Sequence, residues 1–112
     1  MMINVPVNNI DSFAMQPLDI NYDQSLDTLF LFETPQAPGI SVDVKGEFYL
    51  RVDYLTHRAI GAEIENFQRV FLRKHSDIRP IWREYVRSLP DPPANLVAEF
   101  KARLFQILRA YL

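Results

Sequence analysis

The sequence predicts an α+β fold: an antiparallel sheet of four to five strands in meander order, followed by two to three helices packed on one face. Three observations predict it. Up to Ile64 the apolar residues alternate with polar ones in short runs, the period of a half-buried strand. From Phe67 onward they recur every three or four positions, the period of a helix. The strand-like runs are joined by short connections, which suit antiparallel neighbours.

At 112 residues, 48% of them hydrophobic, the chain holds one core and reads as one domain. The expected organisation is an irregular arm over 1–17 and a single α+β domain over 18–112, with the sheet in 18–65 and the helices in 66–112. Pro6, Pro17 and the polar run Asn8, Asn9, Asp11 and Ser12 set the arm apart, with room for a short edge strand at Ile3–Val7. Leu18, Ile20 and Tyr22 alternate with Asp19 and Asn21 as a first strand, and Asp23-Gln24-Ser25 supplies turn formers. Thr28 to Phe32 follows, apolar on both faces, which predicts a central strand covered twice. A Pro-rich loop over 34–39 leads to Ile40, Val42 and Val44, then to a Lys45-Gly46 hairpin turn. Phe48, Leu50 and Val52 point inward on the next strand, and Ile60, Ala62 and Ile64 on the last.

Phe67, Val70 and Phe71 open a short helix that ends near His75. Ser76 or Asp77 can cap a second, with Pro80 in its first turn and Pro90 as its stop. Its apolar series is Ile78, Ile81, Trp82, Tyr85, Val86 and Leu89. Asp91-Pro92-Pro93 is the expected start of a final helix to Tyr111, whose apolar residues cover roughly half its circumference, more than one packing seam needs.

Cysteine is absent, which excludes a disulfide framework, a thiolate zinc site and a Cys nucleophile. The first seventeen residues carry no Lys or Arg, and no apolar run is long enough to span a bilayer, so the chain reads as a soluble cytoplasmic protein with no membrane partner. The net charge of −2 hides a division: residues 1–50 hold seven acids against one base, and residues 51–112 seven acids against eleven bases. A basic helical half suits either internal neutralisation or an acidic partner.

The stretch Tyr22-Asp23-Gln24-Ser25-Leu26-Asp27-Thr28-Leu29 resembles a small bacterial domain-of-unknown-function family marked by Tyr-Asp-x-x-x-Asp-x-Leu. The segment Asp53, Arg58, Gly61-Ala62-Glu63-Ile64 resembles the same family's closing strand. The resemblance covers residues 18–67 and implies a small antiparallel sheet with a helix behind it. Some members look like one half of two-gene modules of the toxin–antitoxin kind. This chain departs from the pattern by its seventeen-residue arm and two extra helices.

Candidate chemistry is sparse. Asp19, Asp23, Asp27 and Glu63 could converge on Mg²⁺ or Ca²⁺, but their spacing lacks the glycine and terminal glutamate of a calcium loop. His57 and His75, the only imidazoles, fall at a turn and a helix end and read as exposed surface histidines. Three glycines at 39, 46 and 61 cannot form a phosphate loop. No cofactor is expected, and the chain reads as non-enzymatic.

Two surfaces stand out instead. Phe100, Leu104, Phe105, Leu108 and Tyr111, on the wide apolar arc of the last helix, predict a homo-oligomer, most simply a dimer. Arg79, Arg83 and Arg87, one turn apart on the middle helix, offer the alternative: an antitoxin-like or regulatory partner of an acidic protein or nucleic acid. The sequence pI of 5.6 weighs against nucleic acid, as does the position of Trp82 and Tyr85 on the apolar face.

Overall fold

The computed structural model describes residues 7, 8, 10, 13, 17–33 and 38–112. It holds five strands, β1 (Asp19–Asp23), β2 (Thr28–Phe32), β3 (Gly39–Val44), β4 (Phe48–Asp53) and β5 (Ala59–Ile64). A π-helical turn, Phe67–Phe71, runs into one α-helical turn, α1 (Leu72–Lys74). A 3-10 turn, Ser76–Ile78, then leads into α2 (Arg79–Ser88), and α3 spans Ala94–Tyr111. The fold is therefore α+β with an antiparallel sheet, as the periodicity predicts. All of the edge strand expected at Ile3–Val7 except Val7, and most of the 34–39 loop, lie outside the described residues.

The strand order corrects the predicted meander. It is β1-β2-β5-β4-β3, so β5 enters between β2 and β4 and the chain passes from β2 to the far edge. Strands β3, β4 and β5 are hairpin-connected and return beside β2, which is Greek-key connectivity with β1 added outside. Burial explains the order. Leu29, Leu31, Ala62 and Ile64 are all at most 1% exposed, so β2 and β5 need neighbours on both sides. Exposed Asp19, Asn21, Ser41 and Asp43 suit β1 and β3 to the edges.

The β3–β4 turn has positive φ at Lys45 (53°) and Gly46 (73°), and Glu47 N–H donates to the Val44 carbonyl at 2.9 Å. Between β4 and β5 the register shifts: Arg51 faces Gly61 and Val52 faces Ala59, leaving Ile60 as a bulge. Gly61 is required beside it, because a Cβ there would collide with the Leu31 carbonyl oxygen.

The helices share a core with one sheet face. Leu29, Leu31, Leu50, Val52, Ala62 and Ile64 meet Phe67, Phe71, Ile78, Trp82, Phe100, Leu104 and Leu108. Trp82 sits at the centre, with ring centroids 4.7 Å from Phe67, 4.9 Å from Tyr22 and 5.5 Å from Phe100. Phe13 of the arm is buried against Phe105, edge to face at 6.3 Å, and Asn8 N–H donates to the His57 carbonyl at 2.7 Å.

Phe30 and Phe32 point the other way and are half-buried outside that core. They border a hollow of about 220 Å³ with Ile60, Arg51 and Glu63, and no described helix residue lines it. The expected double cover of β2 is thus a helical layer on one side and a partly open sheet face on the other.

Candidate interaction surface

The acidic residues of the β1–β2 turn are the first candidates, and the structure gives each a local partner. Asp23 Oδ1 accepts from Ser25 Oγ at 2.6 Å and from Leu26 N–H at 3.1 Å. Those bonds hold its carboxyl below the usual carboxylate range. Asp27 is buried, in the left-handed region at φ 50°, a conformation Asp tolerates better than most residues. Its carboxylate accepts from Gln68 N–H at 2.9 Å, Arg69 N–H at 3.1 Å and the Tyr22 hydroxyl at 2.7 Å. The Asp27 carbonyl also accepts from Phe67 N–H at 2.9 Å.

One residue of the first hairpin therefore caps the helix that follows the sheet, satisfying N–H groups that have no acceptor within their own helix. Burial alone would raise the Asp27 carboxyl. The N–H groups of Gln68 and Arg69, the Tyr22 hydroxyl and the Arg69 charge outweigh it and hold the group below its ordinary value. Tyr22 shows the converse. Burial first, and then the hydrogen bond to an anion, push its hydroxyl up to about 12.

The Tyr-Asp-x-x-x-Asp-x-Leu stretch is thus structural: Tyr22 and Asp27 pair, Asp23 closes the turn and Leu29 enters the core. Glu63 lies 3.7 Å from Arg51 as a cross-strand pair on the open sheet face. Among the described residues no three of the His, Cys, Asp and Glu side chains come together as a metal site.

The histidines are half-buried instead of exposed. His75 packs against Phe71 with the rings tilted and their centroids 4.6 Å apart, and its Nε2 lies 3.2 Å from the Tyr111 hydroxyl. His57 takes φ 60° in the β4–β5 turn.

The five residues expected at a dimer contact are placed differently from expectation. Phe100, Leu104 and Leu108 are at most 2% exposed inside the single chain. Phe105 and Tyr111 are half-buried, on Phe13 and Phe48 respectively. The arc of α3 is wide because it meets three things at once: the sheet, α2 and the arm.

The Arg ridge is the surface that stays unsatisfied. On α2 the residues Ile81, Trp82 and Tyr85 turn inward, and Ile78 just before them is fully buried. Val86 and Leu89, expected in the same stripe, are 38% and 41% exposed. Ser76 and Asp77 form the 3-10 turn and provide no side-chain cap to α2, although Pro80 does sit in its first turn. Leu89 is extended (ψ 145°) before Pro90, and α3 begins at Ala94 without the expected Asp91 cap.

Arg79 Nε donates to the Leu72 carbonyl at 3.2 Å, closing the end of α1. Among the described residues the Arg83 and Arg87 side chains have no hydrogen bond or ion pair. With Arg79 they line one side of a surface groove of about 410 Å³, whose other walls are Gln68, Leu72, Trp82 and Val86. The apolar wall was hidden in the sequence because Val86 has the spacing of a core residue.

Compared with known proteins, the chain matches no family model, no curated protein and no solved structure. No helix among the described residues is long and apolar enough to cross a membrane.

Proposed function

We propose that this chain is a protein-interaction module rather than an enzyme, and that it meets an anionic partner through Arg79, Arg83 and Arg87. One observation carries the reading: the exposed guanidinium groups of Arg83 and Arg87 flank a groove and, among the described residues, make no side-chain hydrogen bond or ion pair, whereas Asp27, Arg51 and Glu63 are each paired within the chain. A regulatory partner of another small protein, of the kind the resemblance to two-gene modules implies, fits such a surface. The test is a titration with poly-L-glutamate, read by the fluorescence of Trp82, the single tryptophan and a wall of the groove. Binding that weakens steeply with salt and vanishes in Arg83→Glu/Arg87→Glu supports the reading. No binding at low salt removes it.

A second reading, self-association, is favoured by Phe30 and Phe32 on the open sheet face. Of the contact expected on α3, Phe100, Leu104 and Leu108 are buried within the chain and only Phe105 and Tyr111 keep partial exposure, so the sheet face is the better candidate. Light scattering on the eluting protein distinguishes a 13.1 kDa monomer from a dimer. A dimer that dissociates in Phe30→Ser supports this contact.

A further inference from the structure

We infer that the Arg groove takes an acidic, amphipathic helical segment of a partner protein. This rests on the interaction reading above and names the partner's chemistry. The groove has two rows, and only one of them is charged. Arg79, Arg83 and Arg87 repeat every four residues, so the row rises about 6 Å per step and spans about 12 Å. Carboxylates four residues apart on a second helix have the same rise and can meet the row one to one.

Beside the Arg row runs an apolar wall of Leu72, Trp82 and Val86, of which Val86 is 38% exposed. A ligand that places only anions here leaves Val86 in contact with water. A helix with a leucine-type residue beside its acidic row covers it, which is how an amphipathic helix enters a groove. The volume of about 410 Å³ holds a few anchoring side chains.

A nucleic-acid strand fits less well. Trp82 is 4% exposed and Tyr85 2%, so no aromatic face is open for a base to stack on, and the chain as a whole carries −2. The Arg row alone would be left to hold phosphates, while Val86 stayed uncovered.

The experiment uses the full chain and three probes read through Trp82. The first is an alanine-based helical peptide about 20 residues long, with Glu at every fourth position and Leu on the adjacent row. The second replaces each Leu by Ser, and the third is a single-stranded oligonucleotide of the same charge. The Leu peptide is expected to bind about tenfold more tightly than the Ser peptide. Val86→Ser, a change at an exposed site, is expected to erase that difference while leaving the salt dependence intact. Equal affinity for both peptides overturns the helical-segment inference but leaves the anionic-partner reading standing, as does tighter binding of the oligonucleotide. If no probe binds at low salt, both fall together.

Discussion

Helices α3 and α2 each carry more of one property than a single packing seam uses, and the chain treats the two surpluses oppositely. The surplus of α3 is apolar, and the fold absorbs it: Phe100, Leu104 and Leu108 vanish into the core, and Phe13 from the arm covers Phe105. The surplus of α2 is cationic, and the fold leaves it in place, with Arg83 and Arg87 unpaired beside an exposed Val86. The lesson is that a conspicuous stripe becomes a candidate contact only after the rest of the chain has had its chance to cover it. The Tyr22–Asp27 turn belongs with α3 in this respect. Its charges look available in sequence and are fully engaged in the fold.

The largest effect comes from the absorbed side. Phe100→Ala should cost about 4 kcal/mol of stability, the range for emptying a filled core site, as measured by urea unfolding. An unchanged midpoint would mean that α3 presents Phe100 outward, and the contrast between the helices would collapse.

Asp27→Ala should cost about 3 kcal/mol, because it frees two helix N–H groups and leaves the Tyr22 hydroxyl without an acceptor, at a backbone position with φ 50°. Asp27→Asn should cost less, since Asn accepts one of those bonds and tolerates the left-handed region. Equal losses for the two variants would show that the cap depends on the charge alone.

pH sharpens the same point more gently. The folded Asp27 carboxyl lies below its unfolded value near 3.9, so its contribution is present above about pH 4 and is lost as pH falls through the folded value. At the other end, Tyr22 ionises near 12 when folded and near 10 when unfolded, so stability should decline as pH rises from about 10 to 12. Urea unfolding of wild type and Tyr22→Phe between pH 10 and 12 checks the second limb. The decline should be shallower in the variant.

The strands were legible because their period is local. Thr28 to Phe32 coincides with β2, and the alternation from Phe48 to Val52 gives the buried face of β4. Their order was not legible, since the pairing of Leu31 with Ala62 joins residues far apart in the chain and leaves no local mark. Asp27 capping a helix some forty residues downstream is hidden for the same reason. The Arg ridge was legible from its spacing alone. Its apolar wall was not, because whether Val86 faces the core depends on how α2 is rotated about its axis.

The most direct test of the contrast between the two helices is urea unfolding of Arg83→Glu/Arg87→Glu, followed by Trp82 fluorescence. A ridge that serves a partner and not the fold should leave stability within about 0.5 kcal/mol of wild type. A loss comparable to that of Asp27→Ala would make those arginines structural and contradict the reading of α2 as the surface this protein keeps for others.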